Sequence, residues 1–137
     1  MQALINIDVD DLERGVRFYT EALGLHLVRR LFDGSVAEML ADQTRIYLLE
    51  KQSGTSPAPH ATGVREYRRH WTPVHLDFAV EDLDAAVRRA VDAGAQVEGE
   101  LQIFHWGRLA AMSDPFGHGF CLLQFSGRGY DEPSNHA

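Results

Sequence analysis

An internal repeat constrains this sequence more than any other feature, because a chain that writes one supersecondary pattern twice must bury two similar units. In the first copy Ile5, Ile7 and Val9 alternate with Asn6 and Asp8, the period-2 signature of a strand with one apolar side. Leu12, Val16, Tyr19 and Leu23 then fall on one helical stripe, and Asp10 with Glu13 has the spacing of a capping box in which Asp stands for Ser or Thr. Gly24 supplies a left-handed stop. Three apolar segments follow, over 26–32, 35–40 and 45–50, separated by the turn signals Asp33-Gly34 and Ala41-Asp42-Gln43.

The same order of strand, helix and three strands returns from residue 74. Leu76, Phe78 and Val80 alternate with His75, Asp77 and Ala79, and Asp82-Leu83 matches Asp11-Leu12. Leu83, Val87 and Ala90 or Val91 make a second stripe, which Gly94 ends. Strands are predicted over 97–104, 108–113 and 119–125, with Asp114-Pro115-Phe116-Gly117 as the turn before the last. The final strands also correspond, Ile46-Tyr47-Leu48-Leu49 against Phe120-Cys121-Leu122-Leu123. The expectation is an α+β chain of two tandem βαβββ modules, 1–50 and 73–125, within a single domain over 1–126. The connector over 51–72 is rich in Pro, Ser, Gly, Thr and Arg and reads as a surface linker or a mobile lid. A flexible tail over 126–137 completes the reading.

Composition narrows the class of partner. A chain of 137 residues supports one full core. Its formal charge of −7 opposes a polyanion, so nucleic acid is not expected. No apolar run is long enough to span a membrane, and residues 1–6 lack the basic and apolar regions of a signal peptide, which predicts a cytoplasmic protein. The single cysteine, Cys121, excludes an intrachain disulfide and any CxxC metal knuckle, and it agrees with a reducing compartment.

Two tandem βαβββ units, with the strings Asp11-Leu12, Phe18-Tyr19, Leu23-Gly24 and Asp114-Pro115-Phe116-Gly117, resemble the vicinal oxygen chelate superfamily. That group includes glyoxalase I, extradiol dioxygenases and the fosfomycin and bleomycin resistance proteins. The resemblance runs over roughly residues 3 to 125 and speaks to fold rather than to reaction, since one scaffold carries several chemistries. It implies a cupped, eight-stranded mixed sheet, half from each module, with helices on the convex side (the glyoxalase/bleomycin resistance/dioxygenase fold). It also implies a homodimer. In metal-using members, ligands come from the first and last strands of each module. The matching positions here are Leu4, Tyr47, His75 and Cys121, where Leu4 stands as far before Leu12 as His75 does before Leu83.

Leucine cannot ligate, and a phenol with a thiol is not a set this family uses. Glu50 and Gln124 lie three residues beyond Tyr47 and Cys121, an odd step that turns them to the opposite sheet face. No metal is therefore expected, with a divalent ion bound through His75 as the alternative. The resemblance then points to a small-molecule binder holding a hydrophobic or aromatic ligand in the cup; the competing reading is a lyase, isomerase or dioxygenase centred on His75.

Strand alternation selects the remaining candidates. Asn6 and Asp8 share the face of Leu4, and Asp77 shares that of His75. His75 with Asp77 fits a catalytic base and its orienter, or equally a pair of remnants bonded to each other. Cys121 is a conceivable thiol nucleophile, but its apolar neighbours Phe120, Leu122 and Leu123 favour an inert buried cysteine. Tyr47 offers a hydrogen-bonding wall or simple aromatic packing. Trp106-Gly107-Arg108 and Arg69-His70-Trp71 set an aromatic face beside cations, which suits flat ligands or carboxylates; Arg108 could instead pair with an acidic residue. His26, His60, His105, His118 and His136 have no metal spacing.

Overall fold

Two mixed sheets carry the chain, one in each half of the computed structural model, which describes residues 1–131. The chain divides into two units, Met1–Arg68 and Arg69–Ala137. The connector is thereby shared, 51–68 going with the first unit and 69–72 with the second.

In the first unit β1 (Ile5–Val9), α1 (Leu12–Leu23), β2 (His26–Leu31), β3 (Val36–Ala41) and β4 (Thr44–Glu50) follow in order. The sheet order is β1-β4-β3-β2, with β1 parallel to β4 and the other pairs antiparallel. Asp11, not Asp10, caps α1: its side chain accepts from the Arg14 N–H at 3.0 Å. Gly24 ends the helix at φ 72, the left-handed conformation its lack of a Cβ permits. One sheet face lies under α1. A Cβ on Gly15 would come within 3.2 Å of Val9 and 3.5 Å of Leu48, and Ala37, Met39, Ile46 and Leu48 are buried on that side. Residues of opposite parity, Asn6, Glu38 and Tyr47, share the other face through the pairs Asn6↔Tyr47 and Glu38↔Tyr47.

The connector residues of this unit fold back onto β1. Arg65 donates to Asp8 at 2.7 Å and also to Thr55 Oγ1 and the Ser56 carbonyl, while Tyr67 donates to the Lys51 carbonyl at 2.6 Å. Arg65→Ala is expected to free this loop, raising its thermolysin cleavage rate roughly tenfold, the effect of losing about 1–2 kcal/mol of charge-assisted bonding. Unchanged cleavage would show that other contacts hold it.

The second unit repeats the order as β5 (Leu76–Ala79), α2 (Leu83–Asp92), β6 (Gln96–Val97), β7 (Gln102–Phe104), β8 (Gly107–Ser113) and β9 (Gly119–Phe125). Its order is β5-β9-β8-β6, with β7 also on β8 and β5 parallel to β9. Asp82 caps α2 by accepting from Ala85 N–H at 3.1 Å. Two sequence expectations need correction. The strand expected over 97–104 is broken into β6 and β7, because the chain turns at Gly99 (φ 77) directly after the Glu98 N–H makes its bond to the Ala111 carbonyl of β8. The strand expected from residue 74 begins at Leu76, since Thr72 folds back to donate to the Val74 carbonyl. The described strands therefore number nine.

Of the expected tail, residues 132–137, His136 among them, lie outside the described residues. Gly129–Asp131 forms a 3-10 turn whose Tyr130 ring packs on Trp106 at 5.0 Å and Phe125 at 4.8 Å. Among the described residues no helix is long and apolar enough to cross a membrane.

Candidate functional site

In the second unit the parallel pair β5–β9 sets Asp77 beside Cys121 on one sheet face. His75, just before β5, brings Nε2 to 3.3 Å from Asp77 Oδ1. Cys121 is 6% exposed. Burial, reinforced by the Asp77 charge and by the hydrogen bond its thiol donates to Asp77, pushes the thiol up to about 12. Asp77 thus lies between the His75 imidazole and the Cys121 thiol. The donor atoms of His75, Asp77 and Cys121 all lie within 4.8 Å of one another.

Trp71 closes one side of this cluster. Its ring meets His75 edge-on at 5.3 Å between centroids and lies over Gly119, where a Cβ would fall 2.5 Å from the indole. The indole N–H donates to Glu98 at 3.0 Å, Arg69 pairs with Glu98, and the Arg69 guanidinium sits 5.0 Å above the ring. His70 anchors the same segment, with Nε2 2.8 Å from His118 Nδ1. Burial, with His118 and Arg69 adding to it against Asp114, pulls the His70 pKa down.

Arg108 and Trp106 are placed elsewhere. Arg108 pairs with Gln124 in the β8–β9 ladder, three positions from Cys121 and so on the opposite face. There it donates to Gln124 at 3.1 Å and lies 3.6 Å from Asp84 of α2. Gln124 also accepts from Leu83 N–H at 2.8 Å, and Glu50 does the same for Leu12 N–H at 2.9 Å. The two residues three steps past the ligand positions therefore serve helix N-termini in both units. Trp106 stacks on Phe104 at 5.0 Å, next to Tyr130 and Phe125.

In the first unit Asn6, Asp8 and Tyr47 share the face away from α1, with Asp8 taken up by Arg65. The sequence reading overlooked Glu38, which is 2% exposed on this face. Arg45 donates to it at 2.8 Å and Arg29 at 3.3 Å. Burial alone would raise the Glu38 carboxyl, but hydrogen bonds from Arg29 and Tyr47 and the two guanidinium charges outweigh it and hold the group below the ordinary carboxylate range. Tyr47 is pushed up, by burial first and then by Glu38. A concavity of about 520 Å³ opens here, lined by Gln2, Leu4, Val28, Arg29, Glu38, Arg45 and Tyr47.

The four positions that the family resemblance marks for a metal do not fit one: Leu4 has no donor and the Tyr47 hydroxyl is bound to Glu38. The trio His75, Asp77 and Cys121 keeps two of those positions and adds Asp77. Imidazole, carboxylate and thiolate suit a borderline ion such as zinc, but ligation would first require Cys121 to release its proton.

Comparison with known proteins places this geometry. The chain is 46% identical over 57 residues to the anthracycline biosynthesis protein DnrV of Streptomyces peucetius, a match of 42% of this chain and 20% of that protein. The chain thus spans about a fifth of the length of that relative. Its fold is similar to the fosfomycin resistance protein FosX of Listeria monocytogenes (TM-score 0.72, 18% identity, 96% of each chain). It is also similar to a glyoxalase-related enzyme of Fulvimarina pelagi (TM-score 0.69, 21% identity, 90% of this chain and 87% of that one). The glyoxalase-like domain model matches residues 4–123, a span that runs from before β1 into β9, and the chain belongs to the glyoxalase-like domain family.

Proposed function

We propose that this chain binds a small organic molecule with an aromatic or hydrophobic body and does so without metal chemistry. The observation that carries the reading is the donor set: Leu4 offers no ligand, Tyr47 is committed to Glu38, and the Cys121 thiol stays protonated against Asp77. The names of its relatives support the same direction, one serving anthracycline biosynthesis and another fosfomycin resistance. Trp71 beside His75 supplies an aromatic wall next to polar groups, the mixture small-molecule sites use. Asn6, Asp8, Tyr47 and Cys121 remain candidate contacts on their faces.

A thermal-shift screen of aromatic compounds followed by calorimetry tests the reading. His75→Ala or Asp77→Ala should weaken the ligand found by about 1–3 kcal/mol, while His60→Ala leaves it unchanged. Elemental analysis of protein purified without chelator should find well under one equivalent of Fe, Mn, Ni or Zn. Stoichiometric metal that is lost in His75→Ala would reverse the order of the readings. It would favour a lyase, isomerase or dioxygenase holding its ion through His75, Asp77 and Cys121, the reading their proximity supports. We also propose a homodimer working in the cytoplasm; a monomer mass in sedimentation at micromolar concentration would overturn the first of these.

A further inference from the structure

We propose that Arg29 and Arg45, braced by the buried Glu38, form an oxyanion-binding subsite on the β2–β3–β4 face that takes the carboxylate or phosphate group of a small ligand. The inference rests on the small-molecule reading and names the charged group that a small molecule held by the first unit would carry.

The register shows how the subsite is made. His26 pairs with Leu40 and Leu27 with Met39, so an unbroken ladder would set Val28 opposite Glu38 and turn Arg29 towards α1. A bulge at Val28 shifts the register, and Arg29 pairs with Glu38 instead. Arg45 reaches the same carboxylate from β4, two residues before Tyr47 and on the same face. Two strands, β2 and β4, therefore aim two guanidinium groups and a phenol at one carboxylate on β3 between them.

Charge and donor counts leave this cluster incomplete. One carboxylate balances one cation, and a purely structural Glu38 needs only one arginine; the second leaves a surplus positive charge in a chain of formal charge −7. Glu38 is 3% exposed in its side chain, whereas Arg29 and Arg45 are 64% and 44% exposed. Each guanidinium gives one nitrogen to Glu38 and has further N–H donors in a planar fork, the geometry that grips an oxyanion. Glu38 holds both forks in place, which lowers the entropy lost when an anion docks. The 520 Å³ concavity has room for a small organic molecule, with Leu4 and Val28 as its apolar lining.

The test uses benzoate, phenyl phosphate and the uncharged benzamide as probes, titrated into the full chain and followed by calorimetry and amide NMR. Benzoate or phenyl phosphate should bind saturably, more weakly as salt rises, and ahead of benzamide; the tighter of the two anions identifies the oxyanion. Arg29→Met and Arg45→Met should each weaken that anion about tenfold or more, and Arg45→Lys, which keeps the charge but loses the fork, should fall between. Circular dichroism checks each variant, with R29Q or R45Q replacing any that unfolds. Anion binding unchanged in both methionine variants overturns the subsite, as does the absence of binding by either anion. If benzamide binds as well as the anions and shifts resonances at His75 and Asp77 alone, the subsite is overturned while the small-molecule reading stands. If none of the three binds, the subsite falls and the wider aromatic screen decides the parent reading separately.

Discussion

Iodoacetamide at about pH 8 is expected to alkylate Cys121 roughly a thousandfold more slowly in the folded chain than after unfolding in urea. The thiolate is the reacting species, and a thiol pushed up to about 12 is ionised in only about one molecule in ten thousand at that pH. An unfolded cysteine is ionised in about a quarter. Burial to 6% exposure also denies the reagent a path, which offsets the greater intrinsic nucleophilicity of a high-pKa thiolate. The same shift carries a pH dependence. The folded chain holds the thiol proton more tightly than the unfolded chain, so the associated stability is fully present below the ordinary thiol range. It is lost as pH rises from about 9 towards 12. Cys121→Ala should flatten that alkaline slope in urea unfolding curves. Rapid alkylation of the native protein would restore Cys121 as a nucleophile and weaken the reading of Asp77 as its acceptor.

Local signals were readable where a residue's partner lies close in sequence. The stripe ending at Leu23 and the Gly24 stop mark α1, and the apolar run after the Asp114–Gly117 turn marks β9 with the bounds observed. Asp10 and Asp11 compete for the same cap; the backbone decides it, since Asp11 takes the extended conformation of a cap residue. Gly99 was a readable signal, because a lone glycine inside a strand pattern often marks a break, and here it separates β6 from β7.

The candidate site was only half readable. His75, Asp77 and Cys121 meet because parity along two strands is local and the two copies align. The Arg29–Glu38 pair was hidden because it depends on the bulge at Val28: a one-residue slip reverses a face, and nothing in the string His26-Leu27-Val28-Arg29 announces it. Arg108 went the other way. Its neighbour Trp106 suggested a binding wall, while the ladder parity that turns it to α2 is fixed by pairing with Gln124. Trp71 reaches His75 because Gly119, far along the chain, leaves space for an indole.

The turn that carries His118 should be the most sensitive single point of the second unit. Phe116 is fully buried, although it belongs to the four-residue turn Asp114–Gly117, where a side chain would ordinarily face water. Asp114 wraps the turn around it: its Oδ1 accepts from Phe116 N–H at 2.8 Å and from His118 N–H at 2.9 Å, and its backbone exchanges bonds with His118 and Gly117. The ring is thus held by a hydrogen-bonded clamp that has little freedom to collapse into a cavity. Phe116→Ala is expected to lower the unfolding free energy by about 3–5 kcal/mol. That is a large fraction of the roughly 5–15 kcal/mol typical of a domain. Trp71 and Trp106 both lie in this unit, so urea unfolding followed by tryptophan fluorescence reads it directly. Ile103→Ala, at a residue 77% exposed, should change the midpoint little and serves as the control. A Phe116→Ala variant as stable as the Ile103→Ala variant would mean that the turn closes over the space left by the ring. The clamp would then move, and the His70–His118 contact and the seat of Trp71 on Gly119 would shift with it, visible as a change in native fluorescence.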